Sequence, residues 1–150
     1  MKISIGSDHG GVDLKDAIVQ ALVAAGHDVN DHGTHSHDSV DYPDFAIAVA
    51  RDVAGGAAER GVVVCTTGIG VSIAANKVHG VRAAICFNED GAEFCRRHNN
   101  ANVIAFGQKY ITPYMANKLL AIFLATPFDG GRHERRVDKI AAEETEGKGL

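Results

Sequence analysis

The stretch Gly61-Val-Val-Val-Cys65-Thr-Thr-Gly-Ile-Gly70 decides the fold. Its first half is an uninterrupted β-branched run, which is typical of a strand buried on both faces of a parallel sheet. Its second half places two glycines ahead of a helical stretch, so that backbone N–H groups can approach a ligand. Because ligands in parallel α/β folds bind at the carboxyl ends of the strands, this segment predicts the centre of the sheet and the position of a site.

The alternation of apolar runs with amphipathic stretches continues in both directions from this segment. Further strands are predicted at residues 2–6, 28–31, 81–86 and 103–106. Helices are predicted from the apolar stripe that Gly26 ends, at residues 44–54, 71–77, 89–97 and 134–144, and after Thr112-Pro113. Strands and helices alternating at this pitch indicate a three-layer α/β sandwich with a mostly parallel sheet.

The bulk properties exclude several classes of protein. A chain of 150 residues is expected to form one domain, residues 1–150, with a frayed tail at 145–150. A formal net charge of −4 argues against a nucleic-acid partner. Because no apolar run approaches the ~20 residues that span a bilayer and no signal-peptide stretch is present, we expect no membrane partner and a cytoplasmic location. The cysteines Cys65, Cys86 and Cys95 lack C-x-x-C spacing and are expected to be reduced.

The segment Gly6-Ser-Asp-His-Gly-Gly11 follows the first strand. Its glycines do not match the G-x-G-x-x-G dinucleotide fingerprint. It offers a carboxylate and an imidazole, Asp8 and His9, beside a helix start. Taken alone, the segment favours Asp8 as a helix cap and His9 as a solvated loop residue.

Cys65 ends the buried strand directly before the glycine-containing loop Thr67–Gly70. A free cysteine is only roughly 3% ionised at pH 7, and a following helix start can raise that fraction. A thiolate there could act as a base. The alternative is a small buried thiol that merely ends a strand, and the flanking glycines favour the functional interpretation.

Two polar clusters lie further along the chain. His98-Asn-Asn-Ala-Asn102 carries donors and acceptors that suit sugar hydroxyls, although such runs also form ordinary turns. Arg132 and Arg136 are four residues apart, so on a helix they share a face where guanidinium groups match phosphate oxygens. Their alternative is a basic surface turn paired with glutamates.

Three loop histidines, His32, His35 and His37, invite a zinc interpretation. They lack the H-E-x-x-H arrangement, and a solvated loop is the expectation. The sequence therefore predicts neither a metal nor a cofactor.

These segments together resemble the type B ribose-5-phosphate isomerases, in the family that includes galactose-6-phosphate isomerase subunits. The resemblance covers residues 3–144 and is strongest at Gly6–Gly10, Asp41–Pro43, Thr67–Gly70 leading into Ile73–Lys77, His98-Asn99 with Asn102, and Gly130–His133 with Arg136. It implies a Rossmann-like five-stranded parallel sheet and a homodimer or dimer of dimers with a shared active site. It also implies metal-free interconversion of ribose 5-phosphate and ribulose 5-phosphate.

The resemblance further implies roles for individual residues. Cys65 resembles the base that moves a proton between C1 and C2, and Thr67 the hydroxyl that moves protons between O1 and O2. Asp8 and His98 resemble the pair that opens the furanose ring. The remaining expected ligands are His9, Arg132 and Arg136 for the phosphate, Asn99 for hydroxyls, and the amides of Gly68, Ile69 and Gly70 for the enediolate oxygen.

Two positions in the Cys65 loop deserve comparison with the family. One branch uses a glutamate as base at the position of Val71, so this chain resembles the cysteine branch. The family usually has glycine where this chain has Thr66, which would be strained if that position needs a positive φ. The alternatives are an isomerase of allose 6-phosphate, galactose 6-phosphate or a tetrose phosphate, a non-catalytic sugar-phosphate binding module and, more weakly, a thiol hydrolase.

Overall fold

The computed structural model describes residues 1–146 and contains one sheet of five strands in the order β2-β1-β3-β5-β4. The strands are β1 Lys2–Ser7, β2 Asp28–Asp31, β3 Arg60–Cys65, β4 Ala83–Ile85 and β5 Val103–Gly107. The helices are α1 Val12–Ala24, α2 Tyr42–Ala54, α3 Ile69–Ala75, α4 Glu89–Arg97, α5 Pro113–Ala125 and α6 Arg132–Glu146. Every pairing in the sheet is parallel. The predicted α/β class and five-stranded parallel sheet are confirmed.

Strand β3 occupies the centre of the sheet, as its β-branched run predicts. Val62, Val63 and Val64 are fully buried, and β3 pairs with β1 on one side and β5 on the other. Side chains alternate between the faces along a strand. Val62 and Val64 therefore pack on one face, while Val63 and Cys65 pack on the other.

Helices α1 to α5 form a layer on each face of the sheet, which completes the predicted sandwich. Buried residues of α1, α4 and α5 join Val62 and Val64 in one apolar cluster. Buried residues of α2 and α3 join Val63 and Cys65 in the other. The side chain of Cys65 thus lies on the α2–α3 side.

Most predicted elements match the structure, and four of them have an end that is shifted by two residues. α2 begins at Tyr42 with Pro43 in its first turn, and α3 begins at Ile69. β4 covers only Ala83–Ile85: the Val81 N–H donates to the Val78 carbonyl in a turn, and the Cys86 N–H donates to the Ala105 carbonyl of β5 at 3.2 Å just beyond the end of the strand. α6 runs from Arg132 to Glu146, so the first part of the expected frayed tail is helical; the rest of that tail lies outside the described residues.

Side-chain caps explain two of the helix starts. The Thr112 hydroxyl accepts from the Met115 N–H at 3.2 Å, with Pro113 in the first turn of α5, as predicted. The Asn88 side chain accepts from the Gly91 N–H at 2.8 Å and begins α4. Among the described residues, no helix is long and apolar enough to cross a membrane.

Candidate active site

The candidate site lies where the carboxyl ends of β1 and β3 meet. The chain leaves β1 to form β2 on one side and later returns to form β3 on the other. A crevice opens at such a reversal of strand order, and it is where ligands bind in doubly wound folds. Asp8 directly follows β1 and Cys65 is the last residue of β3, so both lie at this position, and the Asp8 N–H donates to the Val64 carbonyl at 3.3 Å.

Cys65 presents its sulfur to the backbone of the following loop. The Gly68 N–H donates to the Cys65 Sγ at 3.1 Å. An N–H donor stabilises a thiolate more than a neutral thiol, because the anion is the stronger acceptor. Cys65 is 5% exposed, with Val71 and Ala75 in its apolar cluster, so side chains of α3 shield the residue on that face of the sheet.

The Cys65 loop packs tightly against the end of β5 because a glycine lies on each side of the contact, Gly68 in the loop and Gly107 in β5. Gly68 has φ +78°, and a Cβ on it would lie 2.9 Å from the Gly107 nitrogen. A Cβ on Gly107 would lie 2.5 Å from the carbonyl of Thr67. The two backbones therefore touch, which brings the end of β5 against the Cys65 loop.

Thr66 stands where the family usually has glycine, and it would be strained there if the backbone needed a positive φ. Among the described residues, only Asn100 is a non-glycine residue with a positive φ, so Thr66 fits without strain of that kind. Its hydroxyl lies 2.1 Å from where a Cβ of Gly10 would be, so Thr66 packs against the glycine of the neighbouring loop. Threonine at position 66 is therefore compatible with the backbone of this loop.

Asp8 and His9 are held beside the crevice by local hydrogen bonds. Asp8 is 7% exposed, and its Oδ1 accepts from the Gly10 N–H at 2.9 Å. It does not cap α1, whose N-cap residue is Gly11. The Val40 N–H donates to Nδ1 of His9 at 3.1 Å, so the ring proton of neutral His9 lies on Nε2.

Three further residues lie near the crevice; Lys109 and Gln108 were not singled out from the sequence, and Tyr42 was noted only as part of the Asp41–Pro43 motif. The Lys109 N–H donates to the Thr66 carbonyl at 3.0 Å, which places an exposed lysine beside the Cys65 loop. The Gln108 N–H donates to the Cys65 carbonyl at 2.9 Å. The ring of Tyr42 lies against Gly70, 2.8 Å from where a Cβ would be. Lys109 and Gln108 directly follow β5, so the rule applied to Cys65 could have found them.

The remaining predicted residues form a second cluster around the end of α4 and the start of α6. His98 ends α4, and its ring stacks on that of His133 with centroids 4.2 Å apart. Arg132 and Arg136 lie in α6 and are exposed, four residues apart as predicted. The pKa of His133 is lowered by desolvation and then by the positive charges of His98 and the two arginines. The cluster is therefore an electropositive surface that suits an anion.

The two groups of residues lie at opposite ends of the strands, and the end at which the strands begin is called the amino edge below. α4 begins near the carboxyl end of β4 and runs back, so that His98 and the exposed Asn99 lie near the amino edge. At that edge the Gly61 N–H donates to the Asn102 carbonyl at 3.0 Å. Gly61 is four residues from Cys65 along β3, which amounts to ~13 Å at ~3.3 Å per residue. A single chain thus separates Cys65 from His98 and the arginines.

Asn102 turns out to have a structural role. Its side-chain Oδ1 accepts from the Arg82 N–H at 2.8 Å, and its Nδ2 donates to the Gly80 carbonyl at 2.8 Å. These bonds fasten the loop before β4 to the start of β5. Asn102 therefore fixes the ends of two strands at the amino edge.

The histidines offer little support for a metal site. His32 and His37 of the loop pair with Asp52 and Asp13, at 2.7 and 2.9 Å. A different group, His98, Asp129 and His133, has ligand atoms within 4.8 Å of one another. The two rings are stacked in nearly parallel planes, so their lone pairs do not converge on one ion, and Arg97 already binds Asp129 at 3.1 Å. This arrangement favours an anion over a cation.

The fold and this crevice define a doubly wound α/β protein with a thiol-bearing loop at the reversal of strand order. The chain belongs to the Ribose/Galactose Isomerase family, whose model matches residues 3–140. It is 44% identical over 143 residues to ribose-5-phosphate isomerase B of Escherichia coli, covering 95% of this chain and 96% of that protein.

Solved structures agree with this membership. Ribose-5-phosphate isomerase B of Clostridium thermocellum superposes with a TM-score of 0.96 at 49% identity, covering 97% of this chain and 99% of that one. Ribose-5-phosphate isomerase B of Mycoplasma genitalium, solved with bound ribulose 5-phosphate, gives a TM-score of 0.93 at 42% identity and covers 97% of each chain.

Proposed function

We propose that the chain is an aldose–ketose isomerase that interconverts ribose 5-phosphate and ribulose 5-phosphate, with Cys65 as the base. The observation that carries this proposal is the Gly68 N–H that points at the Cys65 sulfur at the strand-order crevice. Membership of the family supports the reaction class, and the relatives from Escherichia coli and Mycoplasma genitalium support the substrate. The enzyme is proposed to act as a single cytoplasmic domain.

In the proposed mechanism, the Cys65 thiolate removes the C2 proton of the open-chain aldose. The electron pair moves towards O1 and forms an enediolate, and the thiol returns the proton to C1 to give the ketose. Thr67 carries the proton between O1 and O2. Its hydroxyl accepts from the Ile69 N–H at 3.3 Å, so its oxygen lies among the loop amides.

The loop amides are proposed to stabilise the oxyanion that this step creates. Charge develops on an oxygen in the transition state, and N–H groups fixed in advance stabilise it without reorganisation. Gly68, Ile69 and Gly70 supply the amides of this loop. Asp8, buried beside the same crevice, is proposed to act with His98 in opening the furanose ring, which brings the substrate to its reactive form.

The substrate phosphate is proposed to bind between two copies of the chain. His9 lies on the Cys65 side of the crevice, while Arg132 and Arg136 lie at the opposite edge of their own sheet. A second copy that presents its amino edge would bring its arginines, His98 and Asn99 to this Cys65. The proposed assembly is therefore a homodimer, or a dimer of dimers, that shares each active site between chains.

The proposed base is tested by assaying ketose formation from ribose 5-phosphate with the Cys65→Ala variant. Turnover should be nearly abolished while the circular dichroism spectrum and thermal midpoint stay close to those of the wild type. The matched control is Cys86→Ala, another buried cysteine outside the crevice, which should keep its turnover. Unchanged turnover in Cys65→Ala would exclude this thiol as the base.

The shared site is tested by mixing two inactive proteins. Cys65→Ala and the double variant Arg132→Ala/Arg136→Ala each lack one half of every site. After random exchange of subunits, half the dimers are mixed and each holds one intact site, so roughly one quarter of the wild-type activity should return. Failure to recover activity, with mixed dimers verified by native mass spectrometry, would show that both halves act within one chain.

The substrate itself is tested with a panel of phosphorylated aldoses. Ribose 5-phosphate should give the highest kcat/KM, ahead of allose 6-phosphate, galactose 6-phosphate and a tetrose phosphate. A higher value for another sugar would reassign the substrate and keep the reaction class. Tight binding of all of them without turnover would instead indicate a non-catalytic sugar-phosphate binding module.

A further inference from the structure

Two cysteines outside the proposed mechanism lie side by side in the core. The sulfurs of Cys86 and Cys95 are 3.9 Å apart, and the residues are 3% and 8% exposed. Cys86 directly follows β4 and Cys95 lies in α4, so the pair connects the edge of the sheet to the helix that covers it. Both are free thiols.

We propose that Cys86 and Cys95 form a reversible disulfide when the protein meets a small-molecule disulfide, and that this bond moves α4 and the His98 at its end. The functional part of this inference rests on the proposed role of His98 in the isomerase reaction. The formation of the bond does not rest on that role.

The geometry places the bond within reach of a small movement. A disulfide has a sulfur–sulfur distance of ~2.05 Å, so the two sulfurs must approach by about 2 Å. α4 has nine residues, of which Ala92, Cys95 and Arg96 are buried. A short helix with so little buried surface can shift over the core more readily than the strand beside it.

Cys95 is the thiol that starts the exchange. A hydrogen bond from Cys86 lowers the pKa of Cys95; burial opposes this effect, and the neighbouring Arg96 charge adds to the lowering. The same hydrogen bond and burial raise the pKa of Cys86, which keeps its proton. The Cys95 thiolate is therefore the better nucleophile of the pair.

The reaction balances with glutathione disulfide as the oxidant. The Cys95 sulfur attacks one glutathione sulfur, forming a mixed disulfide and releasing one glutathione thiolate, which takes up a proton. Cys86 then loses its proton and attacks the Cys95 sulfur, which releases the second glutathione as a thiol. Two cysteine thiols are oxidised to one disulfide, and one glutathione disulfide is reduced to two glutathione molecules.

The disulfide changes the position of His98. His98 is three residues beyond Cys95, so a movement of α4 at Cys95 is passed to it within one turn. Its ring stacks on His133 at 4.2 Å, a contact that connects α4 to the start of α6 and the neighbouring arginines. Because a misplacement of ~1 Å can cost ~100-fold in rate, the oxidised form is expected to turn over up to about 100-fold more slowly.

The bond is tested first in a protein that cannot react through Cys65. The full-length Cys65→Ala variant is incubated with glutathione disulfide, its remaining thiols are blocked with N-ethylmaleimide, and the intact mass and disulfide-linked peptides are measured. The expected product is a Cys86–Cys95 disulfide without bound glutathione, which dithiothreitol reduces. Two alkylated cysteines, or a stable glutathione adduct, would overturn the proposal. This result is independent of isomerase activity.

The effect on activity is tested by comparing the wild type with Cys95→Ser and Cys95→Ala. All three proteins keep Cys65, so any direct reaction of glutathione disulfide at Cys65 affects them equally. After treatment with glutathione disulfide, the wild type should lose more turnover than either variant, because only the wild type forms the Cys86–Cys95 disulfide. Dithiothreitol should restore this extra loss. Equal losses in all three proteins, with the disulfide present in the wild type, would overturn the proposed link between α4 and His98.

Discussion

Replacing Gly68 by alanine tests the geometry of the Cys65 loop, and Gly56 provides a matched control. Both glycines have a similar positive φ, +78° at Gly68 and +81° at Gly56. A Cβ on Gly68 would lie 2.9 Å from backbone atoms of Phe106 and Gly107, whereas one on Gly56 meets nothing within 4 Å. The pair therefore separates the cost of the backbone conformation from the cost of crowding.

The two variants should differ in stability by the cost of the crowding alone. An alanine in the left-handed region costs about 1–2 kcal/mol. Overpacking against a well-ordered interior adds about 1–3 kcal/mol. The free energy of unfolding should thus fall by about 1–2 kcal/mol in Gly56→Ala and by about 2–5 kcal/mol in Gly68→Ala, as measured by urea denaturation with a common m-value.

Activity adds a second readout from the same pair. In the wild type the Gly68 N–H donates to the Cys65 sulfur at 3.1 Å. In Gly68→Ala the backbone must shift to accommodate the new Cβ, and this shift moves the N–H of residue 68 away from the sulfur. A displacement of ~1 Å lowers kcat/KM by up to ~100-fold, measured under conditions where the variant is fully folded. Gly56→Ala should keep the wild-type value.

Two results would refute this reasoning. If both variants lost the same stability, the close approach of the loop to β5 would be wrong. If folded Gly68→Ala protein kept its kcat/KM, the thiol would not depend on the amide. Either result can be obtained without knowing the substrate preference, because ribose 5-phosphate serves for all proteins alike.

Further predictions concern the neighbouring packing and two charged groups. Gly10→Ala should lower the free energy of unfolding by about 1–3 kcal/mol, because the new Cβ meets the Thr66 hydroxyl. In a double-mutant cycle, adding Thr66→Gly should recover at least ~0.5 kcal/mol of that loss. Strictly additive effects of the two substitutions would contradict the contact. Lys15 is fully buried and binds Asp31 at 2.8 Å, so Lys15→Met should lower the free energy of unfolding by about 1–3 kcal/mol; an unchanged urea midpoint would show that the ion pair contributes nothing. Burial raises the pKa of Asp52, but its hydrogen bonds outweigh this effect and hold the pKa below the ordinary 3.8, so its contribution to stability is present above pH 3.8 and is lost as the pH falls through the folded-state pKa. In Asp52→Asn this part of the acid dependence should disappear from the measured stability, and an acid profile identical to that of the wild type would contradict the assignment.

The sequence predicted the centre of the fold because its signals there are local. The β-branched run of β3 and the glycines after Cys65 lie within ten residues, and the caps at Thr112 and Gly26 need only neighbouring residues. β4 was predicted too long for a physical reason. Val81 and Cys86 are apolar and buried like strand residues, but the Val81 N–H bonds to Val78 in a turn, and the bond from the Cys86 N–H to Ala105 lies beyond the last residue of the strand.

Only part of the candidate site could be predicted from the sequence. The rule that sites follow strands identified Asp8 and Cys65, and the same rule applied to β5 would have identified Lys109. The stacking of His98 on His133 joins segments 35 residues apart, and the positions of the two rings depend on how α4 and α6 pack. The φ of Thr66 could not be predicted from the sequence either. The resemblance to the family only suggests that glycine is usual at this position, and the backbone of the structure shows that Thr66 has no positive φ.

The two edge strands of the open sheet, β2 and β4, are its shortest strands. β2 has four residues and β4 has three, while the interior strands β1 and β3 have six each. An exposed edge can template the addition of a foreign strand, and a short edge offers few free backbone groups for it. The protein thereby gains protection from edge-to-edge aggregation through the brevity of its outermost strands, and this holds whatever oligomer it forms.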